Sequence, residues 1–291
     1  MSEAGISPQD PHPRRRVDVL DSFMSTVDTG SGAPVVFLHG NPTWSYLWRN
    51  VISRVQPVAR CLTPDLVSMG ESGPMPGGGY RFFDHARYLD AWFDALDLRD
   101  VTIVAHDWGC LGLHWAHRHP ERVRAVACME TFVMPLSITD YPDISRPLFQ
   151  ALRGEPGEEI ILQKNVFIER ILPGSIVRTL SEAELEQYRK PWREPGEGRR
   201  PMLVWPREIP FDGEPADMVA AVAAWGQWLK ESDLPKLVVL AEPGAIFSER
   251  VRAFTRTWRN HREVTVPGGH FLQEDSPTAI GDAIAAFVQS L

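Results

Sequence analysis

The stretch Ala105-His106-Asp107-Trp108-Gly109 sets an acidic side chain at the tip of an apolar run, directly before a glycine-rich turn. An unpaired buried carboxylate is expensive, so Asp107 at this place asks for a purpose other than packing. The small-x-acid-x-small form fits a tight strand-to-helix turn that exposes its middle side chain, and the N-terminus of a following helix favours an anion. A carboxylate is already ionised at neutral pH. Asp107 is therefore suited to attack an sp³ carbon directly and become an ester, where a serine would first need a base. Capping of the next helix would also account for an aspartate here. Capping does not account for the residues that close the other short apolar runs: Asn41 after PVVFLHG (34–40), Glu130 ending RAVACME (124–130) and His270 ending REVTVPGGH (262–270). Nucleophile, acid and histidine are the parts of a hydrolytic triad, in which His270 would take a proton from water attacking the ester and Glu130 would hold the imidazole in the correct tautomer.

Those residues need a scaffold that gathers strand ends. Six apolar runs, 34–40, 58–66, 101–107, 124–130, 236–244 and 262–270, each read as a strand followed by a loop. Leu47, Trp48, Val51, Ile52 and Val55 share one helical face, as do Ala279, Ile280, Ile284 and Phe287. Alternation of this kind predicts an α/β chain with a mostly parallel sheet flanked by helices, and such sheets collect functional groups at the carboxyl ends of their strands. From about Phe132 to Phe211 the strand signal disappears. SEAELEQYRK (181–190), with Ser181 and Glu184 spaced as a capping box, reads as a helix there. The expected division is a core of residues 1–131 and 212–291 with a helical cap, 132–211, inserted over the site.

The chain has 291 residues, 43% of them apolar, and a formal net charge of −8. That is enough apolar content for a substantial core, and the acidic balance argues against a broad nucleic-acid footprint. The nearest basic cluster, Arg14, Arg15 and Arg16, reads as a tail. Cys61, Cys110 and Cys128 lie in apolar segments and read as reduced core thiols of a cytoplasmic protein. No run resembles a signal h-region or a membrane span. The expected form is a monomer or weak homo-oligomer. His114, His117 and His119 invite a metal reading, but no carboxylate or cysteine completes a site, and the glycines at 77–79 lack the Lys-Ser/Thr of a phosphate loop. No metal or cofactor is expected.

Several longer stretches, HGNPTWSYLWRNVI (39–52), TPDLVSMGESG (63–73), HDWG (106–109), HWAHRHPERV (114–123), LQKNVFIERILPG (162–174) and GGHFLQEDSP (268–277), resemble the haloalkane dehalogenases of the α/β-hydrolase fold. The resemblance implies hydrolysis of small halogenated aliphatic substrates to an alcohol, halide and a proton through an alkyl ester on Asp107. A departing halide needs no proton, only hydrogen-bond donors in a dry pocket. The resemblance assigns that role to the Asn41 amide and the Trp108 indole. It also implies Glu130 as the acid, at the position used by one subfamily, with Glu242 in AEPG (241–244) as the rival. Phe149, Phe167, Pro206, Ile246 and Phe271 match positions that wall the pocket, and Ser175 matches a tunnel-mouth position.

Other functions are compatible with parts of this set. Epoxide hydrolases share the aspartate, the histidine and HDWG, but need an acid on the substrate oxygen, normally paired cap tyrosines; Tyr141 and Tyr188 are the candidates. A coelenterazine-type luciferase resembles the constellation too. A binding protein that has lost turnover would show a broken catalytic set, and all five positions are intact. Fluoroacetate dehalogenases tend to carry Arg beside the nucleophile, where this chain has Trp108.

Overall fold

A computed structural model describes residues 6–291. Its sheet has eight strands: β1 (Arg14–Val19), β2 (Ser22–Thr29), β3 (Pro34–Leu38), β4 (Arg60–Pro64), β5 (Val101–Asp107), β6 (Val123–Thr131), β7 (Lys236–Pro243) and β8 (His261–Gly268). They run in the spatial order β1-β2-β4-β3-β5-β6-β7-β8. β1 and β2 pair antiparallel with each other and β2 pairs antiparallel with β4, while every pairing from β4 to β8 is parallel.

Both faces of the sheet are covered, and the period of two along each strand decides which core a residue joins. Val36 and Leu38 of β3 and Ile103 and Ala105 of β5 pack with helices Phe82–Ala95, Leu111–Arg118 and Ala216–Glu231. Val35 and Phe37 of β3 and Val104 of β5 point the other way, against helices Arg49–Val55 and Pro277–Gln289. Trp48, Val51, Ile52 and Val55 lie on the expected face, but Leu47 precedes that helix and joins the opposite core. Ala279 is exposed, one position off the stripe of Ile280, Ile284 and Phe287.

Arg14, Arg15 and Arg16 are not a tail. They begin edge strand β1, whose Val17 and Val19 are buried while Arg15 pairs with Asp28 at 2.7 Å; charge on an edge strand discourages pairing with a second chain. β2 has no counterpart in the apolar pattern because its centre is Met-Ser-Thr-Val, buried with the Thr26 hydroxyl satisfied: it accepts the Trp92 indole N–H at 2.9 Å. Between β6 and helix Ala216–Glu231 the regular elements are short helical segments, among them Arg146–Arg153, Glu182–Arg189 and Arg200–Glu208. Ser181 and Glu184 form the expected capping box. The three cysteines are buried and unpaired. No helix among the described residues is long and apolar enough to cross a membrane.

The turn after β5 depends on close backbone approach. A Cβ on Gly109 would sit 2.3 Å from the Leu38 carbonyl oxygen, which is main chain and cannot swing aside. Gly109→Ala is expected to push β5 from β3 and cost roughly 1–3 kcal/mol of stability, measurable by urea unfolding; a wild-type midpoint would contradict this packing.

Candidate active site

Asp107 closes β5 with φ 51° and ψ −124°, a sparsely populated conformation for a residue other than glycine. Neighbouring strands hold it there: Thr131 at the end of β6 donates its hydroxyl to the Asp107 carbonyl at 2.6 Å. The carboxylate makes no capping bond to the following turn. It accepts the main-chain N–H of Asn41 at 2.7 Å and is further favoured in its ionised form by the Trp108 N–H. Gly40 permits this, since a Cβ there would fall 2.1 Å from Asp107 Oδ1 and 2.5 Å from the Trp108 nitrogen.

His270 follows β8 and lies between two carboxylates. Its Nε2 is 3.5 Å from Asp107 Oδ2, and its Nδ1 is 3.4 Å from Glu130 Oε2. Glu130 is fully buried at the tip of β6. It accepts the N–H groups of Ala245 at 2.8 Å, Ile246 at 2.7 Å and Phe247 at 3.3 Å. Glu242 is exposed on β7, so of the two acids it is Glu130 that meets the imidazole. Burial opposes a charge on His270. Hydrogen bonds to Asp107 and Glu130, with the attraction of both charges, outweigh it and push the imidazole up to about 9. Burial likewise opposes ionisation of Asp107, but the bond and charge of His270 hold it below the ordinary aspartate value.

Two further histidines support the main chain around the site. His106 is driven down to about 3, chiefly by burial; neutral, it donates Nε2–H to the His270 carbonyl at 2.8 Å. His39 accepts the Leu66 N–H at 2.9 Å on Nε2, leaving Nδ1–H for the Gly40 carbonyl at 3.0 Å. His114 packs edge-on against Phe82 and Trp225, and His117 against Trp228. No group of three or more potential ligands able to hold a metal exists among the described residues.

Above Asp107 lies a cavity of about 430 Å³. Asn41, Asp107, Trp108 and His270 line it, and so do all six expected wall and mouth residues, Phe149, Phe167, Ser175, Pro206, Ile246 and Phe271. Trp108 is held between Phe132 and Trp205, each with ring centroids 4.7 Å away. Asn41 donates its amide to the Met202 carbonyl at 3.2 Å, tying it to helix Arg200–Glu208. Tyr141 lines the cavity too, but Tyr188 does not: its hydroxyl is bonded to buried Glu274. Ile144 and Val177, 92% and 65% exposed, form an apolar mouth that sequence reasoning missed, because nothing in a lone surface aliphatic marks it as a rim.

A strained acidic elbow, a histidine after the last strand and an acid between them, on a sheet of this order, define the α/β-hydrolase class. The family model for the α/β-hydrolase fold matches residues 33–277. Within that class, the chain belongs to the haloalkane dehalogenase family. It is 50% identical over 283 residues to a haloalkane dehalogenase of Sphingobium indicum, covering 96% of each chain. A haloalkane dehalogenase of Mycolicibacterium smegmatis is 47% identical over 274 residues, which is 92% of this chain and 88% of the relative. The crystal structure of haloalkane dehalogenase DbeA from Bradyrhizobium elkani superposes with a TM-score of 0.92 at 44% identity, covering 96% of this chain and 98% of that one.

The two carboxylates make a measurable signature. The His270 charge contributes stability that is complete below the ordinary histidine value of 6.5 and is lost as pH rises through about 9. Glu130→Gln is expected to bring the His270 titration down in an NMR pH series, while Glu242→Gln leaves it in place. Equal responses would remove Glu130 from its position as the partner of the imidazole.

Proposed function

We propose that this chain hydrolyses haloalkanes to the corresponding alcohol, halide and a proton. The observation that carries the reading is the line Asp107–His270–Glu130, opening on a largely apolar cavity that also holds the Asn41 amide and the Trp108 indole. Relatives named haloalkane dehalogenases along nearly the whole chain support the same reading.

An Asp107 carboxylate oxygen attacks the carbon that bears the halogen. The carbon–halogen bond breaks, and its electron pair leaves on the halide, taken up by the Asn41 and Trp108 N–H donors. Forming the ester removes the negative charge of Asp107. His270 then has only Glu130 to stabilise its protonated form, so its affinity for a proton falls and it becomes available as a base. Water attacks the ester carbonyl as His270 takes its proton, and the N–H groups of Asn41 and Trp108 that already face the carboxylate stabilise the oxyanion. Collapse breaks the ester carbon–oxygen bond, the alcohol leaves protonated, and one proton reaches solvent as Asp107 ionises again. Glu130, held by three main-chain N–H bonds, stays beside Nδ1 throughout.

In this reading residues 132–211 form the cap over a core of 1–131 and 212–291, and Phe149, Phe167, Pro206, Ile246, Phe271 and Ser175 shape the pocket and its mouth. The chain acts in the cytoplasm on small halogenated aliphatics and water, without a metal or organic cofactor. Epoxide opening is less well supported, since it calls for a pair of cap tyrosines and Tyr188 is turned away into the Glu274 cluster.

His270→Phe is expected to release one halide per active site from a bromoalkane and then stop, with an alkyl adduct on Asp107 visible by peptide mass spectrometry. Conversion of an epoxide to a diol with no halide from any alkyl bromide or chloride would replace the reading. Trp108→Phe is expected to slow ester formation by about 10²–10³-fold, as loss of a donor at a developing anion does, with adduct hydrolysis little changed; rapid-quench measurement of both steps decides it.

A further inference from the structure

The loop that carries His270 is fastened at three consecutive residues, each through its main chain. The Gly269 N–H donates to Asp275 Oδ2 at 2.9 Å, the His270 carbonyl accepts from the His106 ring at 2.8 Å, and the Phe271 N–H donates to the Ser175 carbonyl at 3.3 Å. The last bond crosses to the segment after residue 131. Asp275 makes the same crossing: Oδ1 accepts the N–H groups of Val177 and Arg178, both at 2.9 Å, and Oδ2 accepts Val177 again at 3.1 Å. One carboxylate thus holds the residue before the histidine and two residues of the cavity mouth. The fit is tight, because a Cβ on Gly269 would lie 2.2 Å from the Ser175 oxygen. Glu274, next in the chain, reinforces the junction by ion pairs to Arg178 at 2.6 Å and to Arg49 at 2.6 Å.

We infer that Asp275 is a positioning residue that makes the mouth segment Ser175–Arg178 and the His270 loop one rigid unit, and that this unit serves the hydrolytic half of the reaction. The inference rests on the dehalogenase reading above. The nucleophile is positioned by different contacts, the β5 turn, Asn41 N–H and Thr131, so the geometry of ester formation does not draw on the Asp275 contacts. Hydrolysis needs the imidazole aimed at water over the ester, and a displacement of about 1 Å in such a group is worth up to about 10²-fold in rate. The exposed mouth is by this route coupled to the base: a change at Val177, which does not touch His270, alters how firmly the imidazole is held.

The test separates the two steps. With 1-bromohexane, rapid-quench measurement gives ester formation from the halide burst and hydrolysis from decay of the alkyl adduct. Asp275→Asn turns one acceptor oxygen into an amide that opposes an N–H. It is expected to slow adduct decay by about tenfold while ester formation at saturating substrate stays within about twofold of wild type. Val177→Gly keeps every Asp275 bond but loosens the mouth segment at an exposed position, and is expected to slow adduct decay by a smaller factor of about two to five. Should Asp275→Asn fail to fold, Val177→Gly decides in the same way. Equal slowing of both steps, as for a merely structural residue, or no change in adduct decay, overturns the inference. Wild type that releases no halide overturns the parent reading and this inference together, and that result is distinguishable because it does not involve Asp275.

Discussion

Two carboxylates share one imidazole in the interior of this protein, and most of the structure around them serves to hold these three groups in place. Asp107 and Glu130 are buried on opposite sides of His270, where a polar group left without partners is costly. Each is held by main-chain N–H groups: Asn41 and Trp108 for Asp107, and Ala245, Ile246 and Phe247 for Glu130. Main-chain donors are fixed by the fold and need no reorganisation as charge moves. The requirement propagates outward into the strained turn of Asp107, the bare α-carbons of Gly40 and Gly109, and the register that sets Asp107 beside Thr131 across β5 and β6.

The asymmetry of the two carboxylates gives the chemistry its order. Asp107 faces the cavity and in the proposed reaction loses its charge on becoming an ester, whereas Glu130 is sealed behind His270, away from the cavity. In the proposed reaction one group of three residues therefore serves opposite demands in turn, an anionic nucleophile first and a neutral base second. The change between them is electrostatic and needs no movement of the chain.

Much of the molecule that covers the site is tied to it through few contacts. Trp205 and Phe132 hold Trp108, and the Met202 carbonyl holds Asn41. At the other end Arg49, Arg178, Glu184 and Glu274 form a buried cluster of two cations and two anions with ion pairs of 2.6–3.1 Å. Breaking one member of such a cluster leaves an uncompensated buried charge and is costly. The cluster thus fixes how the helical segments meet the sheet, and with them the shape of the cavity.

Strands β3 to β7 were legible because parallel strands buried on both faces read as continuous apolar runs, the half-exposed edge strand β8 was legible from its Val264-Thr265-Val266 centre, and Asp107, Glu130 and His270 stood out as polar ends to these runs. β1 and β2 were not, since an arginine-rich edge strand resembles a tail and a strand rich in Ser and Thr shows no apolar alternation until its partners, such as Trp92, are known. The amino-acid sequence by itself determined the alternating architecture and the acidic elbow at Asp107, because these depend on local periodicity and on the intrinsic chemistry of side chains. Tertiary structure alone brought Glu130 rather than Glu242 against the His270 imidazole, turned Tyr188 away from the cavity, and joined the mouth segment to the His270 loop through Asp275. Those outcomes depend on which groups, distant along the chain, come within hydrogen-bonding reach, a distance that no spacing in sequence encodes.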